Sequence, residues 1–275
     1  MSVPPVSSRA VPPDIAELRA LAERQPELAP AAQLQIELVD AVRRVQGRLS
    51  TSWAVITPEE IAARLAAGQA LLDFDQIAFE WHDVRLLIRQ ITDILRRHDA
   101  IDADTAAALH ALGRRADLPE TMRAWVEGRE MAPAVDMVDE VLGWAARPYL
   151  QRTAEVIQQQ ASFDTWRRPT CPVCAAQPEF AVITPAGDRL LVCGRCHVRW
   201  RFDPTACPYC GNADRARITS FATPDGWYRV MLCRACERYL KAMDGRHATR
   251  PLLIYADPIV TLPLDAAVLQ KGLRA

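Results

Sequence analysis

Through the first 160 residues, apolar side chains recur with the 3.6-residue period of a helix, and almost no strand-like alternation interrupts them. Leu34, Leu38, Val42, Val45 and Leu49 share one helix face, while Glu37, Asp40, Arg43 and Arg44 take the other. Thr57-Pro58-Glu59-Glu60 supplies a capping hydroxyl, a proline at the first helical position and a carboxylate at the third, so a helix should begin there and stop near Gly68, burying Ile61 and Leu65. Val84, Leu87, Ile91 and Leu95 make a third stripe. Val138, Leu142, Ala145 and Tyr149 make a fourth, which Pro148 should bend or interrupt.

The pattern changes near Ala161, where Gln158, Gln159 and Gln160 lead into Ser162-Phe163-Asp164 and the basic Arg167-Arg168-Pro169. Beyond it, short apolar runs separated by turn residues predict strands at Leu190 to Cys193, Ile218 to Phe221, Trp227 to Cys233 and Leu252 to Tyr255. Pro185-Ala186-Gly187-Asp188 and Thr223-Pro224-Asp225-Gly226 are the turns expected to reverse the hairpins. The expected organisation is a disordered segment 1–14, a helical domain 15–160, and two smaller modules at 161–203 and 204–275, the second carrying a C-terminal segment.

Composition excludes general disorder: half of the 275 residues are apolar and 24% are charged. The net charge of −1 hides an asymmetry, since residues 1–160 hold 17 basic and 24 acidic side chains and residues 161–275 hold 16 and 10. Arg195, Arg199, Arg201, Arg234 and Arg238 make the second half mildly basic. Such a face can bind phosphates or an acidic partner, but it more simply solvates a small module and offsets negative metal sites. No run of apolar residues is long enough for a membrane-spanning helix, and Met1 to Asp14 lack an apolar signal core, so a soluble cytoplasmic protein without membrane insertion is expected.

All eight cysteines follow residue 170 and form Cys-x-x-Cys pairs: Cys171/Cys174, Cys193/Cys196, Cys207/Cys210 and Cys233/Cys236. Two thiolates at this spacing can turn toward one ion, and a second such knuckle returned by a hairpin completes a tetrahedral site. Sequential pairing puts Cys171, Cys174, Cys193 and Cys196 around one metal and Cys207, Cys210, Cys233 and Cys236 around another. A crossed pairing of the first and third knuckles is open by spacing alone, although Pro172 and Pro208 mark an internal repeat that favours the sequential one. Gly194 and Gly211 are read as permissive knuckle backbone. Disulfides do not suit a chain without an export signal, and a thioredoxin-like motif would use a single pair. The fold class is therefore α+β: an all-helical N-terminal bundle followed by two tandem four-cysteine, zinc-ribbon-like metal modules of short antiparallel strands.

An all-thiolate set suits zinc or a mononuclear iron, and four protein ligands leave no position for water or substrate. His197, next to Cys196, can in principle replace a ligand, but with two full sets it reads as a surface or supporting residue. His82, His98, His110 and His247 are isolated, and Asp73, Asp75, Glu80 and Asp83 read as a solvated acidic first turn. No catalytic constellation is found, so an enzyme is not expected.

Taken in order, Cys171-Pro172-Val173-Cys174, Cys193-Gly194-Arg195-Cys196 with Trp200, Cys207-Pro208-Tyr209-Cys210-Gly211, Cys233-Arg234-Ala235-Cys236 with Tyr239-Leu240-Lys241, and Leu264-Asp265-Ala266-Ala267 with Gly272 resemble the formate dehydrogenase accessory protein FdhE family. The resemblance is close in the metal half and loose in the helical half, where Ala16-Glu17-Leu18-Arg19-Ala20-Leu21-Ala22 carries it. Ala175 and Leu273 depart from it, standing where a glycine and an aromatic residue are usual. The resemblance implies a cytoplasmic assembly factor that binds the catalytic subunit of respiratory formate dehydrogenase before export. It also implies rubredoxin-like iron in both tetrathiolate sites, with zinc as the alternative. Two other functions fit the residues alone: electron transfer through a four-thiolate iron, and a nucleic-acid-binding zinc ribbon using Trp200, Trp227 and Tyr228 near arginines. The acidic first half argues against nucleic acid.

Overall fold

The computed structural model describes residues 10–49, 56–129, 137–270 and 272. Helices α1 (Pro13–Arg24), α2 (Ala29–Gln46), α3 (Pro58–Ala67), α4 (Trp81–Arg97), α5 (Ala103–Arg114), α6 (Leu118–Val126) and α7 (Val138–Gln158) precede strands β1 (Pro178–Ile183), β2 (Arg189–Cys193), β3 (Arg199–Phe202), β4 (Ile218–Ala222), β5 (Tyr228–Cys233) and β6 (Arg238–Asp244). Helices α8 (Asp257–Val260) and α9 (Leu262–Leu269) close the chain. This is the helical bundle and strand-built metal half expected from the sequence. Residues 1–9 and Leu273 lie outside the described residues.

The apolar stripes become the core. Leu38, Val42 and Val45 of α2 and Val84, Leu87, Ile91 and Leu95 of α4 are buried, as are Val141, Leu142, Ala145 and Tyr149 of α7. Thr57 caps α3, its hydroxyl accepting from the Glu60 N–H at 3.2 Å, and Gly68 ends the helix in the left-handed conformation at φ 66°. Pro148 does not interrupt α7, which continues to Gln158. The buried residues on both sides of the proline, from Ala145 to Leu150, hold the helix against its neighbours despite the lost backbone hydrogen bond. Helix α1 starts at Pro13, inside the segment expected to be disordered, because proline suits its first turn and Asp14 accepts from the Tyr255 N–H at 3.0 Å.

The strands form one six-stranded sheet in the order β3-β2-β1-β6-β5-β4. Each ribbon is antiparallel within itself, and the two meet through a parallel pair, β1 with β6, in which Phe180 faces Lys241 and Val182 faces Met243. No strand forms at Leu252 to Tyr255. That apolar stretch instead crosses back to the helices, where Leu253 packs with Leu18 and Leu21 and Tyr255 packs with Ile15 and Val39. A short apolar run has no fixed secondary structure of its own, and here burial against a helical surface decides it.

The change of texture near Ala161 is no gap in space. One core runs from Leu38 and Leu87 through Trp166 to Cys171, Trp200 and Leu240. The backbone N–H groups of Leu71 and Leu72 donate to the carbonyls of Pro172 and Val173, both at 2.9 Å, so the chain after α3 is bonded to the first knuckle itself. Among the described residues no helix is long and apolar enough to cross a membrane.

Candidate metal centres and the adjoining cleft

The four knuckles share one backbone plan. In the first three, the N–H of the leading cysteine donates to the carbonyl five residues on: Cys171 to Ala176, Cys193 to Val198 and Cys207 to Asn212, at 2.8–3.0 Å. The carbonyls of Cys171, Cys207 and Cys233 accept from the N–H four residues on, that of Ala175, Gly211 and Glu237, at 2.9–3.0 Å. This tight return needs a left-handed residue at the fourth position after each leading cysteine, and Ala175, His197, Gly211 and Glu237 all have φ between 58° and 73°. Gly194 does not play the part expected of it, having no positive φ. Its missing side chain instead admits Glu179, whose Cβ would lie 3.1 Å from an added Cβ. N–H groups point at sulfur as well: Val173 to Cys171 at 3.4 Å, and Arg195 and Cys196 to Cys193 at 3.3 and 3.4 Å.

The structure gathers the sulfurs in the sequential pairing. Cys171, Cys174, Cys193 and Cys196 form one group and Cys207, Cys210, Cys233 and Cys236 the other, with all four ligand atoms of each within 4.8 Å of one another. In the first, Cys171–Cys196, Cys174–Cys193 and Cys174–Cys196 are 3.5, 3.4 and 3.6 Å apart. In the second, Cys207–Cys236 and Cys210–Cys233 are each 3.7 Å apart. A tetrahedron of thiolates about 2.3 Å from a central ion has sulfurs about 3.8 Å apart, so either group could hold a metal ion. Burial pushes the thiols of Cys171 and Cys196 well above their ordinary value and that of Cys207 to about 12. A cation between the sulfurs would favour their thiolate form over the neutral thiols.

The two groups differ in setting. The first is buried throughout and belongs to the main core. In the second Cys210 is exposed and Cys236 half-buried. A buried arginine, Arg189, reaches from the first ribbon to the second group, donating from Nη2 to the carbonyl of Ala206 at 2.5 Å and to that of Asp203. Burial lowers its pKa to about 10, leaving it charged at neutral pH.

His197 faces away from the sulfurs. Its Nδ1 lies 2.9 Å from Gln151 Nε2 on α7, and its ring meets Tyr255 edge-on at 5.0 Å. Burial, followed by the charge of Arg147, pushes its pKa down to about 3, so it is neutral and joins the helices to the ribbon. The acidic group near α4 separates into ion pairs: Asp73 with Arg64, Asp75 with Arg123 and Asp83 with Arg48. Several arginines of the basic half also have work inside the molecule. Arg195 donates to the carbonyls of Trp125 and Val126 while lying 3.8 Å over the Trp125 ring, Arg201 pairs with Asp188, and Arg238 lies 3.6 Å over Tyr209.

A cleft of about 770 Å³ opens between α6, α7, the first ribbon and the returning segment, lined in part by Trp125, Trp144, Arg147, Glu179, Arg195 and Tyr255. Arg147 lies 4.1 Å over the Trp144 ring and donates to the Gly194 carbonyl at 3.1 Å, so one wall is tied to the second knuckle. Neither Arg189 nor the cleft had a signal in the sequence, because each is assembled from residues far apart in the chain.

No family model matches the chain. It is 27% identical over 115 residues to a protein FdhE homolog of Aquifex aeolicus (strain VF5), covering 39% of this chain and 41% of that relative. It is 28% identical over 106 residues to a protein FdhE homolog of Stutzerimonas stutzeri (strain A1501), covering 37% and 34%. The matches thus span about two fifths or less of these curated relatives. The crystal structure of the FdhE protein from Pseudomonas aeruginosa has the same fold, with a TM-score of 0.65 over 95% of this chain and 91% of that one at 22% identity. Partial sequence likeness to two FdhE homologues, together with the fold of a third protein of that name, supports the FdhE family for this chain.

Proposed function

We propose that the chain is a cytoplasmic accessory factor for formate dehydrogenase, binding that enzyme's catalytic subunit before export and catalysing no reaction of its own. In this reading Cys171, Cys174, Cys193 and Cys196 hold one iron and Cys207, Cys210, Cys233 and Cys236 a second, zinc being the alternative that the same donors accept. The observation that carries it is the pair of closed four-sulfur groups built into one sheet beside an open cleft. Four protein ligands leave a metal no position for substrate, so its work there is to fix the knuckles. The cleft offers what a protein-binding surface uses, rigid aromatic anchors and charged groups at their edge. The likeness to FdhE homologues supplies the link to formate dehydrogenase.

The test is a binding measurement between the full chain, prepared without oxygen, and the catalytic subunit of a formate dehydrogenase from the same organism, with metal content read on the same sample. Specific binding that is lost with Cys171→Ser/Cys174→Ser is the expected result. Absence of binding by a folded, metal-loaded chain would overturn the proposal. The exposure of Cys210 favours a second reading, electron transfer, since a mononuclear iron there can exchange one electron without opening its coordination. That reading requires reversible reduction with the iron retained.

A further inference from the structure

We infer that Arg189 is the counter-cation of the second four-cysteine site, so that the first ribbon supplies the charge that holds the metal in the second. The inference rests on the metal-binding reading above. Arg189 begins β2 and is 1% exposed. A guanidinium taken out of water carries a large desolvation cost unless a negative group answers it. The groups it touches directly are neutral: the carbonyls of Asp203 and Ala206, the Met231 sulfur at 3.7 Å from Nη1 and the Phe202 ring at 5.2 Å. Its Nε is buried without a partner. Among the described residues no carboxylate lies within 4 Å of it; that of Asp203 accepts from the N–H and hydroxyl of Thr205, at 2.7 and 2.8 Å, and acts on the guanidinium through its charge alone, as Cys207 does.

A second source of negative charge is next door. Arg189 lines a small hollow with Cys207 and Cys233, one ligand from each knuckle of the second site. Ala206, whose carbonyl it holds, immediately precedes Cys207. The hollow has only about 10 Å³ of free space, at the limit for a single water, so no separate anion fits there. Four thiolates around a divalent ion carry two negative charges in excess, and a fixed guanidinium against their buried side favours the loaded, deprotonated site. The first site differs in degree: Arg147, which donates to the Gly194 carbonyl beside Cys193, and Arg195, which donates to the Trp125 and Val126 carbonyls, are both half-buried, so water screens them as it cannot screen Arg189.

The test loads the full chain with zinc under anaerobic conditions and follows its release to a chromophoric chelator. Cys210→Ser identifies which release phase belongs to the second site. Arg189→Met, which keeps length and removes charge, should speed release from the second site about tenfold or more and leave the first within about twofold, while Arg189→Lys, which keeps the charge and loses the guanidinium fork, should release at a rate between those of wild type and Arg189→Met. Unchanged release from the second site, or equal acceleration at both, would overturn the inference. If Arg189→Met does not fold, Arg189→Lys and Arg189→Gln are compared, and equal rates for these two overturn it as well. A folded wild-type chain that takes up fewer than two zinc ions would refute the metal-binding reading, and the inference with it.

Discussion

Lys241 Nζ lies 2.5 Å from Oδ2 of Asp265, in an ion pair whose side chains are 10% and 17% exposed. Lys241 sits on β6, the strand that joins the two ribbons, and Asp265 on α9, the last helix. The other carboxylate oxygen of Asp265 accepts from the Tyr239 hydroxyl at 2.7 Å, so one side chain anchors two residues of the strand. Breaking a largely buried pair leaves an unanswered charge. Asp265→Ala should therefore cost about 3 kcal/mol and loosen α9, which urea unfolding and hydrogen exchange of the α9 amides would measure. Asp265→Asn, which keeps a hydrogen bond to Tyr239, should cost less.

The left-handed positions of the knuckles give a prediction of opposite sign. Ala175 and Glu237 have φ of 59° and 58°, where a Cβ crowds the following carbonyl. Glycine removes that strain, so Ala175→Gly and Glu237→Gly should each raise stability by about 1 kcal/mol, offset in part by the freer unfolded chain. Denaturant midpoints of the metal-loaded proteins are the measurement. Gly211→Ala, at φ 73°, should move the midpoint the other way.

These knuckles show what a sequence can disclose. The ligands were legible because a chelating pair is a local object whose spacing is set by a single ion, and the amphipathic stripes of α2 and α4 were legible because one helix face writes one period. The parallel β1–β6 pair was not, since Phe180 and Lys241 are brought together only after both ribbons have folded. Strand β1 begins Pro-Glu, which obscures alternation, and β6 follows its knuckle with no turn signal. Leu252 to Tyr255 shows the reverse error, an apolar run whose partner surface, α1 and α2, lies at the other end of the chain. Arg189 reads in sequence as one more surface arginine in a hairpin.

Metal removal should proceed in order. The second group has an exposed ligand, Cys210, whereas the first is enclosed in the core with Trp166 and Trp200. Titration with a chelator should withdraw one equivalent while helical circular dichroism is unchanged, and the second only as the helical half unfolds, because Leu71 and Leu72 are bonded to the first knuckle. Loss of both ions in one step with the helices intact would mean that the first site contributes little to the core.

Asp244 sets a pH dependence that can be separated from that of the thiols. It is fully buried at the end of β6, where its carboxylate accepts from Arg246 at 2.7 and 2.8 Å and from Arg229 at 2.7 Å. Hydrogen bonds from Arg246, and then from Arg229, hold its pKa far below the usual carboxylate range. An unfolded aspartate titrates near pH 4, so the folded state binds this proton less readily than the unfolded one. The contribution is therefore complete above about pH 4 and is lost as pH falls toward the depressed folded value. Asp244→Asn should cost about 2–3 kcal/mol at pH 7, the arginines being partly exposed and so partly screened. The gap between wild type and variant should narrow as pH drops below about 4, while loss of metal through thiolate protonation affects both alike. A gap that stayed constant down to pH 2 would show that the variant perturbs packing and that the Asp244 charge adds nothing to stability.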